Sequence, residues 1–342
     1  MRILIIKLGA MGDVLRTTPL LSEIKKNYPA SRISWLVETQ CRPVLEKNPL
    51  IDALFAYSDE SISILRREHF DLSVNLDKEP EAIDAIMAIP SKKKMGFGRS
   101  SDGRLCALDA LSDYAYQLGI DDELKFRRNK KTYQEITFGQ LGFQFHKEEY
   151  IFSVDSESLD RVKKYLDRLG FSPGDKNRIV VGLNTGSGKR FAGKRLPIST
   201  YLELIKKFYT QMNAVIFLLG GEDEVSRNAE IAQRSEFPVI NTGSHPIQDF
   251  AAIVQTCDLV ISGDTTAMHI AIAVKVLVVA YFASTCASEI ELYGRGRKIV
   301  SDIYCAPCYK KVCPIDEQCM KDMSAESIFL ASRELLENAA KC

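Results

Sequence analysis

An α/β protein built from doubly wound parallel sheets is the architecture that three features of this 342-residue chain predict. Short aliphatic runs alternate with helical stretches along the chain, a glycine turn follows the first run at once, and a second strand series begins at Arg178-Ile179-Val180-Val181. Such alternation is the mark of βαβ units, whose parallel strands are covered on both faces and read as continuous apolar runs. The length suits two domains better than one core.

Taken in order, Ile3 to Ile6 form the first strand, and Gly9 and Gly12 turn the chain into a helix that reaches Tyr28-Pro29. Asp13 lies in that turn, at the carboxyl edge where open parallel sheets hold ligands. It is read two ways, as a general base or as an N-cap whose carboxylate accepts amide hydrogen bonds. RISWLVE (32 to 38) is the second strand, and its terminal Glu38 stands where a dinucleotide fold places a ribose acid. The turn is GAMG, without the G-x-G-x-x-G spacing, so a nicotinamide-dependent oxidoreductase is only the alternative reading. ALFAY and DLSVNLD supply two more strands, separated by a helix over SISILRREHF. SKKKMGFGRSSDGR and KFRRNKK are expected to be mobile basic loops, either solvated charge or a clamp for an anionic acceptor. A helix from Tyr133 to Phe143 should pack beneath them, and another ends at Gly170, ahead of a Ser172–Asp175 turn.

In the second half, RIVVGLN runs into a turn of small hydroxyl residues and glycines, Thr185 to Gly188, followed by Lys189 and then by Lys194-Arg195 before Pro197 opens a helix. Amides, hydroxyls and cations at one helix start suit a diphosphate. NAVIFLLGGEDE repeats strand, diglycine turn and acidic helix start, and LVISGDT ends a further strand at Asp264. Asp264 is either a helix cap or a site residue, and His269 either a core histidine or a ligand contact. VLVVAYF is another buried strand, and an amphipathic helix with Ser324 as its cap closes the chain. Cys305, Cys308, Cys313 and Cys319 fall within 15 residues; reduced structural thiols are the leading reading, and a thiol metal-binding protein is a weaker one.

Lys plus Arg equals Asp plus Glu at 45 each, which speaks against nucleic acid as a partner and leaves anionic ligands to local patches. The first apolar run is only a strand long and is broken by Lys7, so no signal peptide is expected, and no run approaches the ~18 residues of a membrane span. A cytoplasmic protein with reduced thiols is the consequence.

The ordered set K-L-G-A-M-G-D (7 to 13), R-T-T-P (16 to 19), G-K-R-L-P (193 to 197), L-G-G-E-D-E (219 to 224) and S-G-D-T-T-A-M-H-I-A (262 to 271) resembles glycosyltransferase family 9, the ADP-heptose:lipopolysaccharide heptosyltransferases. The cysteine segment 305 to 320 shares in the likeness, whereas Leu196 stands where an aromatic residue is common. The resemblance implies a GT-B fold of two Rossmann-like doubly wound domains facing across a cleft: 1–165 for the acceptor, 176–323 for the nucleotide sugar, and 324–342 as a helix returning to the first domain. It implies an inverting, metal-independent transfer of heptose from ADP-heptose to the inner core of lipopolysaccharide, with no cofactor. Asp13 would be the base and Lys194 would neutralise the departing diphosphate. Thr185, Ser187, Glu224, Asp264, Thr265, Thr266 and His269 would hold the donor, and Gly12, Arg16, Thr17, Lys93, Arg99 and Arg127 the acceptor. The enzyme is expected to be a monomer, peripheral to the cytoplasmic face of the inner membrane.

Overall fold

The computed structural model describes residues 1–172, 178–187 and 194–340, so Pro173, Gly174 and Asp175 of the expected turn, together with Gly188, Lys189 and Gly193, lie outside the described residues. The strands are β1 (Arg2–Ile6), β2 (Arg32–Val37), β3 (Ala53–Ala56), β4 (Phe70–Asn75), β5 (Ser91–Arg99), β6 (Leu105–Ala107), β7 (Val180–Asn184), β8 (Val215–Leu219), β9 (Ile240–Asn241), β10 (Leu259–Gly263), β11 (Leu277–Phe282) and β12 (Gly296–Val300). The helices are α1 (Met11–Thr17), α2 (Pro19–Asn27), α3 (Asp59–Arg67), α4 (Pro80–Ala88), α5 (Asp113–Gln117), α6 (Tyr133–Gln140), α7 (Ser156–Arg168), α8 (Ile198–Met212), α9 (Val225–Arg234), α10 (Ile247–Gln255), α11 (Thr266–Ala273), α12 (Gln318–Lys321) and α13 (Ala325–Ala339).

The chain divides into two units, 1–153 with 288–291, and 154–287 with 292–342. The first contains a sheet ordered β3-β2-β1-β4-β5-β6, parallel except for the antiparallel β5–β6 pair. Ile3 to Ile6 are fully buried at its centre, as a strand covered on both faces requires. The second contains a wholly parallel sheet ordered β12-β11-β10-β7-β8-β9. In each, the strand order reverses beside the first strand of the series, between β1 and β4 and between β7 and β10. Ligands of doubly wound sheets bind at the carboxyl ends of strands at such reversals.

Four expectations need correction. The single helix expected after Asp13 is two, because Pro19 has no N–H to give the Leu15 carbonyl; Thr18 supplies its amide (3.1 Å) and its hydroxyl (2.7 Å) instead. The segment 91–99 is no mobile loop but strand β5, whose early lysines are anchored, Lys92 to Asp71 at 2.7 Å and Lys94 to the Met87 carbonyl at 2.9 Å. Helix α7 belongs to the second unit, where Arg161 pairs with Asp249 of α10 at 2.7 Å and the Tyr165 hydroxyl donates to the Thr242 carbonyl at 3.0 Å. The last helix also packs in the second unit: Ile328, Phe329 and Leu335 join its core with Phe208 of α8, whose ring meets Phe329 edge-on at 5.1 Å.

Candidate active site

In the first unit, β1 leads through Lys7, Leu8 and Gly9 into α1. Ala10 occupies the N-cap position and offers no side-chain bond, so Asp13 is the third residue of the helix and not its cap residue. Its carboxylate lies between two cations, with Oδ1 2.7 Å from the Arg16 guanidinium and Oδ2 4.0 Å from the Lys7 ammonium. The guanidinium stacks on the Tyr133 ring at 3.9 Å. The buried Thr17 ties the helix down by donating to the Asp13 carbonyl at 2.7 Å and meeting the Tyr133 hydroxyl at 2.9 Å. Asp13 itself keeps about a third of its side chain exposed (35%).

On the other side of the strand reversal, β4 is followed by Asp77 and Lys78, which the sequence did not mark as site residues. Asp77 Oδ2 accepts from the Lys7 ammonium (3.2 Å) and from the amides of Leu8 (3.1 Å) and Gly9 (3.4 Å). Burial alone would lower the pKa of Lys7, but the Tyr133 phenol and the Asp13 and Asp77 carboxylates outweigh it and hold the pKa above the ordinary value. The Lys78 ammonium lies over the Phe97 ring at 4.8 Å and donates to the Ala115 carbonyl at 3.2 Å. Burial of that ammonium, and then the charge of Lys125, bring its pKa down to about 8.

The other acceptor candidates divide. Gly12 is buried in the first turn of α1, beside Asp13. Lys93 is in register with Leu72, which pairs with Ile3, so it stands at the amino-terminal half of the sheet, away from the edge that carries Asp13. Arg99 ends β5 and is paired with Asp84 at 2.8 Å. Arg127 is exposed in the π-helical turn 124–128, whose Lys125 acts on Lys78.

In the second unit, the Lys194 ammonium donates to the Asp264 carbonyl (3.0 Å) and to its Oδ2 (3.4 Å). Asp264 Oδ1 lies 3.7 Å from Nε2 of His269, a nearly buried ring on α11. Thr265, not Asp264, is the N-cap residue of α11, and Thr266 is its first residue. Asn184 joins the two loops at this reversal: its amide donates to the Gly186 carbonyl (2.9 Å), Ser262 Oγ (3.1 Å) and Thr265 Oγ1 (3.2 Å). The sequence offered no signal for Asn184 beyond its place at a strand end. Thr185 is buried and its hydroxyl bonds to Asn228, so it braces the turn and does not present a donor; Ser187 is partly exposed. Glu224 is buried against Gly186, where any Cβ would come within 2.0 Å of its carboxyl carbon. Its Oε2 accepts from the Gly221 amide at 3.0 Å, whereas its buried Oε1 has no donor among the described residues. Leu196 is a fully buried core residue.

The four clustered cysteines carry free thiols. Burial pushes the Cys319 thiol up, with Cys313, Cys305 and Cys308 adding to the effect, and the Glu317 amide donates to Cys313 Sγ at 3.2 Å. Among the described residues no three His, Cys, Asp or Glu side chains are disposed to hold a metal ion.

Two doubly wound α/β units, each with charged side chains at its strand reversal, are the parts of a GT-B fold. The chain belongs to glycosyltransferase family 9 (heptosyltransferase), whose profile matches residues 62–318. Lipopolysaccharide heptosyltransferase 3 of Escherichia coli (strain K12) is 24% identical over 292 residues, which cover 80% of each chain. The family 9 glycosyl transferase of Veillonella parvula superposes with a TM-score of 0.79 at 18% identity, over 98% of this chain and 97% of that one. E. coli ADP-heptose lps heptosyltransferase II gives a TM-score of 0.71 at 16% identity, over 99% of this chain and 100% of the other. The enzyme is thus a glycosyltransferase; the nicotinamide and metal-thiol readings give way to it.

Proposed function

We propose that the enzyme transfers heptose from ADP-heptose to an anionic sugar of the lipopolysaccharide inner core, with inversion at the anomeric carbon. The observation that carries this reading is Asp13, a carboxylate at the strand reversal of the first sheet, part exposed and held by two cations, with Ala10 in the capping position. In the reaction an acceptor hydroxyl oxygen bonds to the anomeric carbon as the bond from that carbon to the diphosphate oxygen breaks. The hydroxyl proton passes to Asp13 and the electron pair leaves with ADP. Lys194 and the amides at the start of α11 would meet the growing charge of the diphosphate, and Lys194 is already held at that edge by Asp264. Glu224 Oε1, a buried acceptor with no donor among the described residues, suits a ribose hydroxyl. Arg16 and Lys78 would bind the acceptor's acidic groups. With Lys and amide partners for the diphosphate, the reading needs no divalent metal.

A lipid-linked acceptor further implies work at the cytoplasmic face of the inner membrane as a peripheral monomer; no described helix is long and apolar enough to cross a membrane. The test is incubation with a panel of nucleotide sugars and truncated lipopolysaccharide cores, with and without EDTA, read by mass spectrometry of the acceptor. Heptose addition from ADP-heptose in EDTA is expected. Transfer only of another sugar, or activity that vanishes in EDTA and returns with magnesium, would overturn the corresponding part.

A further inference from the structure

We propose that the buried Lys7–Asp77 ion pair is a positioning dyad for Asp13: it fixes the glycine turn and sets one cation against the carboxylate that takes the proton. This inference rests on the reading of Asp13 as the base. The side chains of Lys7 and Asp77 are 6% and 9% exposed, and a pair so far from water is costly unless its remaining hydrogen bonds are made. For the carboxylate they are made here by the chain's own turn. Asp77 Oδ2 gathers the Lys7 ammonium and the Leu8 and Gly9 amides, while its Oδ1 accepts from the Lys78 amide at 3.0 Å. Asp77 is held in turn by Asn75, whose Oδ1 accepts from the Asp77 amide (3.0 Å) and whose amide donates to the Phe97 carbonyl (2.9 Å). From the other side, Trp35 Nε1 donates to the Lys7 carbonyl at 3.3 Å. One carboxylate just after β4 therefore fixes three consecutive residues that follow the neighbouring β1, and the Lys7 ammonium it holds lies 4.0 Å from Asp13 Oδ2.

The consequence is electrostatic. An opposite charge about 4–6 Å away favours the ionised carboxylate and lowers its pKa by about 1–3 units. Among the described residues, the charged and titratable groups at this turn include Arg16 of α1, Lys7 after β1, Asp77 and Lys78 after β4, Tyr133 of α6, and Glu38 and Cys41 of the turn packed on α1. The Cys41 thiol is pushed up to about 12 by burial and then by Glu38, and the Tyr133 phenol is also raised by burial, so neither carries charge near neutrality. Without Lys7 the working pKa of Asp13 must rise. The acid limb of the pH profile, where the base becomes protonated, must move to higher pH.

The experiment measures kcat/KM against pH for wild type, Lys7→Met, Lys7→Arg, Asp77→Asn and Asp13→Asn, with ADP binding followed by calorimetry. Lys7→Met should shift the acid limb upward by about one unit, Lys7→Arg should return it toward wild type, and ADP affinity should be unchanged in both. Asp77→Asn keeps an oxygen for the Leu8 and Gly9 amides but loses the anion facing Lys7; kcat should fall about 10- to 100-fold at unchanged donor KM. A Lys7→Met profile that only drops in height, with its acid limb unmoved, would overturn the proposal. So would an Asp77→Asn enzyme with wild-type kcat, and that variant alone decides the matter if Lys7→Met does not fold. Failure of the underlying reading looks different: Asp13→Asn would then stay active at saturating substrates, whereas an inactive Asp13→Asn beside an unmoved Lys7→Met profile rejects only the dyad.

Discussion

Replacing Asp13 by Asn changes one oxygen to NH₂ and asks two separable questions, one of folding and one of chemistry. The folding cost is bounded by the geometry. Ala10 holds the N-cap position, so no capping residue is lost, and the charge pairs with Arg16 and Lys7, open to water on the Asp13 side, contribute about 1 kcal/mol. For a unit of this size that is a fall in Tm of roughly 2–4 °C. The chemical cost is larger, because an amide cannot take up the hydroxyl proton; loss of a general base lowers the rate about 10²- to 10⁴-fold, equivalent to about 2.7–5.5 kcal/mol of barrier. The assay is single-turnover transfer from ADP-heptose to a truncated core, with ADP release measured by chromatography and Tm in parallel. ADP affinity should be unchanged, since its proposed contacts lie in the second unit. An Asp13→Asn enzyme that turns over within about threefold of wild type at saturating substrates would refute the reasoning and send the search for the base elsewhere.

Lys194→Ala should raise the donor KM and lower kcat together, by about 10²-fold in kcat/KM, since a cation beside a diphosphate acts before and during bond cleavage; steady-state kinetics with varied ADP-heptose check it. Glu224→Ala should weaken ADP roughly 10-fold by calorimetry through loss of a charged acceptor, and weaken adenine, which lacks the ribose, little. Lys78, with a pKa of about 8, is charged below that pH and neutral above it. The KM for an anionic acceptor should therefore rise between pH 7 and 9 in wild type and stay high and flat in Lys78→Met. Phe329→Ala removes a fully buried ring packed on Phe208 and should cost about 3–5 kcal/mol by urea denaturation; a near-neutral result would mean that α13 contributes little to the second core.

Much of this was legible in the sequence because the relevant signals are local. The aliphatic runs marked the strands, GAMGD and SGDTTAMH each fall where a strand end meets a charged turn, and KRLP leads into α8. What escaped was set by register or by distance along the chain. SKKKMGFGR has the composition of a loop, yet it pairs beside β4, and pairing alone carries Lys93 to the amino-terminal half of the sheet. The partnership of Lys7 with Asp77 spans 70 residues and exists only because β1 and β4 are neighbours, an adjacency that crossover topology decides and local pattern does not show. Likewise, the amphipathic stripe of α13 shows that the helix must be covered but not by which unit.

The two reversals carry opposite chemistry on the same scaffold. At the first, cations surround one carboxylate, the proposed base; at the second, one carboxylate holds a cation, the proposed partner of the departing diphosphate. Each is braced from beneath by one buried polar side chain, Asp77 after β4 and Asn184 at the end of β7, and both bind backbone atoms of the turn they support. The braces differ in charge for a physical reason. Asp77 must balance a buried ammonium, which an amide cannot do, whereas Asn184 donates to neutral oxygens of Gly186, Ser262 and Thr265, and a carboxylate there would oppose the Gly186 carbonyl and bury a charge with no cation shown beside it among the described residues. Exchange of Asp and Asn at these two positions is isosteric. It should therefore be more damaging than its size suggests, at either position, through charge alone.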